Sequence, residues 1–189
     1  MHQRDPTTGV LHERPHLYHG PLSCTPDKQA LFFQSGGAGL WSNPAAYVKI
    51  LASLLNNGTC PNTHARILTP PSVDLLFTNQ IPSQPDFARG NPASVDESLM
   101  YSEPEIYPQQ GDPPQGWAYG GFLTLEEGDT GRGRGALWWT GFSNCFWWLD
   151  REKGVAGMLA AQVLPSVDVK MREVFGEVEK GVYDGLVGE

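Results

Sequence analysis

The chain is poor in basic residues and has no long apolar run. Its 189 residues carry 13 Lys plus Arg against 21 Asp plus Glu, a formal net charge of −8. Binding nucleic acid needs clustered Lys and Arg to neutralise phosphates, and these are few and scattered, which argues against that partner. No apolar stretch approaches the roughly 18 residues that span a bilayer, so no membrane partner is expected. The opening Met1-His2-Gln3-Arg4-Asp5-Pro6 lacks the apolar core of a secretory signal. Cysteine is scarce too. Cys24, Cys60 and Cys145 are odd in number and widely spaced, which fits neither a disulfide framework nor a C-x-x-C pair. A cytoplasmic protein with reduced thiols is the expectation.

Several chemistries lack their residues. The histidines are His2, His12, His16, His19 and His64. The chain beyond them has no base for a Ser-His-Asp triad. Gly141-Phe142-Ser143-Asn144-Cys145 opens like the G-x-S-x-G elbow but carries Cys where the last Gly belongs. That elbow also needs a strand-to-helix turn, whereas this site reads as strand-to-strand, so Ser143 is not taken as a nucleophile. His12, His16 and His19, or Cys60 with His64, lack the well-spaced fourth ligand of a zinc site, and no metal is expected. Gly36-Gly37-Ala38-Gly39 and Gly131-Arg132-Gly133-Arg134-Gly135 lack the Lys-Ser/Thr of a phosphate loop. They read as a close approach before a helix and as a mobile hairpin tip, and no cofactor is expected.

What is present is turn-rich but foldable. Gly and Pro number 22 and 16, and 40% of residues are hydrophobic, enough for one domain with a core at this length. Residues 1–30 form a polar, turn-rich N-terminal segment, with a turn signal at Asp5-Pro6-Thr7-Thr8-Gly9. Ser42 or Asn43 can cap a helix over 44–56, and Gly58 can stop it. Thr69-Pro70-Pro71-Ser72 opens a shorter helix that turns Val73, Leu76 and Phe77 inward. Residues 80–115 read as an irregular insertion bordering a cleft. Four strands are expected after it, Trp117–Glu126, Gly135–Gly141, Cys145–Asp150 and Val155–Val163, paired antiparallel through short turns. A helix over Val167–Leu186 would lay Met171, Val174, Phe175, Val178, Val182 and Tyr183 on the sheet. The fold class is α+β, an antiparallel β-sheet flanked by helices.

Four of the six tryptophans, Trp138, Trp139, Trp147 and Trp148, fall within eleven residues around a Thr140-Gly141 step. Aromatics favour strands, and each buried indole N–H needs a partner. The cluster can serve equally as plain core or as an aromatic wall for an apolar acyl group.

A series of motifs gives this cluster a setting. Ser35-Gly36-Gly37-Ala38-Gly39-Leu40-Trp41-Ser42, Ile67-Leu68-Thr69-Pro70-Pro71-Ser72-Val73, Gly116-Trp117-Ala118-Tyr119-Gly120 and Phe146-Trp147-Trp148-Leu149-Asp150 through Gly154 follow one another in order. The series resembles the C-terminal half of the β-lactamase-related serine hydrolases, a group of class C β-lactamases, esterases and fungal lovastatin-type acyltransferases. The resemblance covers roughly residues 31–187. It implies a partial β-lactamase/transpeptidase-like fold without the N-terminal nucleophile-bearing part. It places Trp139-Thr140-Gly141 at the group's third signature, K-T-G, with Trp139 in the Lys position. The Phe142 backbone N–H is then one donor of an oxyanion hole, and Trp138, Trp139 and Tyr119 would bind substrate. The other two signatures are absent: no serine has Lys three residues on, and none of the tyrosines begins Y-x-N or Y-x-S. The resemblance therefore implies a fragment of a serine-dependent ester hydrolase or acyltransferase, inactive alone. The small-molecule partner of the full-length enzyme would be an ester, thioester or acyl substrate. The alternative is a non-catalytic, pseudoenzyme-like module that binds a ligand or a protein, or associates with itself through an uncovered sheet.

Overall fold

The computed structural model describes residues 1–17, 24–33, 36–37, 40–87, 93–102 and 113–187. The Ser35 to Ser42 motif and the 80–115 stretch lie partly outside these residues, and His19 lies wholly outside them.

The centre is a five-stranded antiparallel sheet in the order β3-β4-β5-β6-β7. Its strands are β3 (Gln115–Ala118), β4 (Gly121–Thr124), β5 (Leu137–Gly141), β6 (Cys145–Asp150) and β7 (Val155–Leu159). The expected single strand Trp117–Glu126 is instead a tight hairpin. Ala118 faces Gly121, so Tyr119-Gly120 form a two-residue turn. Gly121 has φ 154°, and a Cβ on Gly120 would lie 2.5 Å from Leu137 Cδ1 and 2.9 Å from the Leu76 carbonyl oxygen. The paired glycines thus allow both the turn and its close seat on the neighbouring chain.

The expected strand Val155–Val163 also divides. Its end forms β8 (Val163–Leu164), which leaves the large sheet and pairs parallel with β1 (His2–Arg4). β1 pairs antiparallel with β2 (Leu11–Glu13) around the Asp5–Gly9 turn. Asp5 Oδ1 accepts from the Thr7 and Thr8 N–H groups there, which locks the turn. Residues 2–13 of the polar N-terminal segment are thereby a hairpin built onto the rest of the chain.

Helix α1 is a short turn, Pro26–Gln29. Helix α2 (Pro44–Leu55) begins where Asn43 Oδ1 accepts from the Ala46 N–H at 2.8 Å. After it, Asn57 and Gly58 take left-handed φ values of 50° and 85°, and Gly58 lies so close to Leu68 that a Cβ would overlap its carbonyl. Helix α3 (Pro70–Leu76) is capped by Thr69 and buries Val73 completely. Arg151 anchors α3 from the β6–β7 turn, with Nη1 donating to Asp74 Oδ1 at 2.9 Å and its guanidinium 5.0 Å from the Phe77 ring.

Helix α4 (Val169–Val187) covers the opposite face. Phe175 and Tyr183 are buried against Phe122, Trp138, Phe146 and Trp148. The other face gathers Ala118, Leu123 and Leu137 with Phe77 and Trp147. Sheet alternation assigns these two sets. The inward face of α4 differs from expectation at three positions. Val174 and Val178 are exposed, whereas Glu179 is fully buried.

The reason lies in the β4–β5 connection, which is pinned rather than mobile. Arg132 is fully buried, donates from Nε to Glu179 Oε1 at 2.7 Å, and stacks over Trp138. Thr130 Oγ1 donates to Glu179 Oε2 at 2.8 Å. Gly133 N–H donates to Asp150 Oδ2, and Lys153 Nζ donates to the Gly131 carbonyl. A buried guanidinium requires a buried carboxylate beside it, and Glu179 supplies it.

Candidate functional site

The proposed site residues fall at one end of the large sheet. There β3 turns into β4 and β5 turns into β6. Both turns share an end because Phe122 faces Trp138 and Gly141 faces Cys145 in antiparallel register.

Trp139, Thr140 and Gly141 are half-buried at the C-terminal end of β5. Trp139 pairs across to Trp147. Its ring also lies 4.8 Å from that of Trp117 and stacks on Phe122 at 5.8 Å. Trp117 is the aromatic that the substrate-binding set omitted, although the Gly116-Trp117-Ala118-Tyr119-Gly120 motif contains it. Its indole N–H is buried and meets no acceptor among the described residues. Tyr119 stands in the β3–β4 turn with 67% of its surface exposed. Phe142 follows β5 at the β5–β6 turn and is 46% exposed. The structure thus gathers Trp139, Trp117 and Phe122 into one aromatic group. Trp138 is different: it is fully buried between the sheet and α4, against Phe122 and Arg132.

The β5–β6 turn is held from behind. Asn144 is fully buried with φ 60°. Its Nδ2 donates to the Val163 carbonyl at 3.0 Å and the Pro165 carbonyl at 2.8 Å, and its Oδ1 accepts from the Asp168 N–H at 3.0 Å. Asn144 N–H closes the turn onto the Gly141 carbonyl at 2.9 Å. Ser143 Oγ accepts from Gln162 Nε2 at 3.3 Å and lies 3.4 Å from Cys145 Sγ. Gln162 Oε1 in turn is 3.1 Å from His16 Nε2. Cys145 Sγ donates to the Ala161 carbonyl. Burial, with the Cys145 thiol nearby, pushes the Tyr47 phenol up from its ordinary value. Of the other histidines weighed for metal, His12 lies in β2 opposite Gln3. No group of three or more His, Cys, Asp or Glu suited to a metal ion occurs among the described residues.

The edges of the large sheet are partly occupied. Along β3, Gln80 N–H donates to the Trp117 carbonyl at 2.7 Å and Gln115 N–H to the Pro85 carbonyl at 2.8 Å. The described part of the 80–115 stretch therefore borders the sheet beside Trp117. Residues 99–101 run instead along Ser166, which bonds to Leu99 and Tyr101.

No family model matches the chain. It is 32% identical over 138 residues to a lovastatin esterase from Penicillium rubens, covering 70% of this chain and 31% of that protein. The chain is homologous to part of the lovastatin-type esterases and acyltransferases. It is also 25% identical over 150 residues to a monacolin J acid methylbutanoyltransferase from Aspergillus terreus, covering 78% and 34% of the two chains. The LovD6 mutant of the simvastatin synthase LovD, from Aspergillus terreus, superposes on the whole chain with a TM-score of 0.70 at 22% identity, over 42% of its own length. The chain thus spans about a third of the length of the curated lovastatin-type relatives it matches. Its fold is a partial copy of theirs, an antiparallel sheet with helices on both faces. No helix among the described residues is long and apolar enough to cross a membrane.

Proposed function

We propose that the chain is part of a serine-dependent ester hydrolase or acyltransferase, and that it supplies an acyl-pocket wall and one oxyanion donor but no nucleophile. The observation that carries this reading is the placing of Trp139-Thr140-Gly141-Phe142 at an open end of the sheet, with Trp139 against Trp117 and Tyr119 in the adjacent turn. Homology to an esterase and to acyltransferases supports the reaction class.

In this reading a serine outside residues 1–189 attacks the acyl carbonyl of an ester or thioester. The alcohol or thiol leaves with a proton. The acyl group then passes from the serine to water or to an alcohol. The carbonyl oxygen becomes an oxyanion in each step, and the Phe142 N–H meets it; losing one such donor costs about 10²–10³ in rate. Trp139 and Tyr119 line the acyl group, with Trp138 behind them in the core. Trp139 stands where the K-T-G signature has Lys, which favours apolar acyl groups over β-lactams. Residues 31–187 act as one unit in this scheme, with 1–30 as an addition and 80–115 as an insertion beside the cleft. The setting proposed for it is cytoplasmic.

The second reading, a non-catalytic module binding a ligand, a protein or a second copy, is favoured by the exposed apolar side chains of Leu31, Phe33 and Leu40. Sequencing the genomic DNA upstream of the Met1 codon separates the two. An in-frame S-x-x-K followed by Y-x-N or Y-x-S is the result expected for the enzyme. Stop codons throughout that stretch would overturn it in favour of the second reading.

A further inference from the structure

We infer that Asn144 is the positioning residue for the Phe142 N–H, a role that rests on the proposed oxyanion function of that group. Three features carry it. Asn144 lies two residues after Phe142, in the same three-residue turn between Gly141 and Cys145. Its backbone takes a left-handed φ of 60°, a conformation Asn tolerates better than most residues. Its side chain makes three hydrogen bonds, all to the backbone of the 163–168 segment, and is fully buried while making them.

That segment is itself unusually constrained. Val167 holds φ 62°, an uncommon and strained choice for a β-branched residue. Asn144 grips the chain on both sides of it, at Pro165 and at Asp168. Asp168 is anchored further by Arg4, whose Nε donates to Oδ2 at 2.6 Å and Nη2 to Oδ1 at 3.1 Å. Asp168 Oδ1 also accepts from the Met171 N–H in the first turn of α4. The turn bearing Phe142 is therefore tied through this amide side chain to the start of α4, and through it and the longer Ser143 bonds to Val163 N–H and Gln162 Nε2 to the segment beside β1. Two donors and one acceptor are required at position 144, and only an amide of this length fits both the bonds and the φ. An oxyanion donor must be aimed before charge develops, and a turn bonded only within itself would not fix that aim.

The test uses the ¹⁵N-labelled chain and compares native protein with Asn144→Asp, Asn144→Ser and the remote core variant Val73→Ala. Asn144→Asp keeps size and φ preference but turns an acceptor toward two carbonyls; Asn144→Ser keeps one donor and covers the case in which the Asp variant does not fold. Amide hydrogen exchange is read at residue 144, whose N–H closes the turn onto the Gly141 carbonyl. The expected result is exchange, relative to an unstructured chain of the same sequence, at least about tenfold faster at this amide in the Asn144 variants than in Val73→Ala at matched global stability. Equal exchange in all variants, or changes confined to 163–168, would overturn the inference. Sodium butyrate, a carboxylate probe, is then titrated into native chain and variants. A Phe142 amide shift in native protein that shrinks in the Asn144 variants is expected. Absence of that shift in native protein would count against the oxyanion reading alone, since the exchange comparison still decides the positioning role.

Discussion

At Gly157 the sheet has no room for a side chain. A Cβ there would lie 2.1 Å from Trp148 Cη2, and Trp148 is buried against Phe175 on its other side. The ring cannot yield, so Gly157→Ala should destabilise the chain by about 1–3 kcal/mol, read as a lower urea midpoint with an altered tryptophan emission spectrum. An unchanged midpoint would mean that Trp148 can leave its seat. Cys60 offers a second test at this scale. Hydrogen bonds from the Thr63 hydroxyl, from the Thr63 and Asn62 backbone, and from Ser53 hold its thiol down to about 7. A stabilised thiolate lowers an acid's pKa, so iodoacetamide should alkylate Cys60 with a rate that rises through pH about 7, below the ~8.5 of an ordinary thiol. Thr63→Val should move that midpoint upward; if it does not move, the hydroxyl is not the main cause.

At the scale of elements, a buried latch of Arg132 and Thr130 on Glu179 joins the β4–β5 connection to α4. Removing one partner leaves a buried charge, so Glu179→Ala should cost about 3–5 kcal/mol in urea denaturation. The double variant Arg132→Met with Glu179→Leu should recover most of that loss, and failure to recover would show that the pair does more than balance charge. This latch also marks where reading from sequence ran out. Helical periodicity found Met171, Phe175, Val182 and Tyr183 but preferred Val174 and Val178 to Glu179, because hydrophobic spacing has no place for a carboxylate that answers a buried arginine. The available signal was Glu179 itself, four residues after Phe175 and four before Tyr183. The Trp117–Glu126 stretch failed for a different reason. Its apolar run continues through Tyr119-Gly120-Gly121, and only the glycine pair reveals the turn. Helices α2 and α3, by contrast, were legible because Asn43 and Thr69 cap them and proline follows each cap.

For the whole molecule, several residues of the motifs that carry the resemblance have a visible physical reason. Asp150 accepts from the Gly133 and Lys153 N–H groups and from the Tyr183 hydroxyl. Burial and the Asp150 and Glu179 charges push the Tyr183 phenol far up, so it remains a donor. The candidate site was legible only in part. Trp139, Thr140, Gly141, Phe142 and Tyr119 were chosen by motif, whereas Trp117 and Asn144 enter through packing and hydrogen bonding that no linear spacing encodes. In the proposed function the catalytic serine lies outside these 189 residues. Incubating the purified chain with a fluorophosphonate and reading the intact mass tests that claim most directly. The account predicts an unchanged mass; a stoichiometric adduct mapped to Ser143 would contradict it.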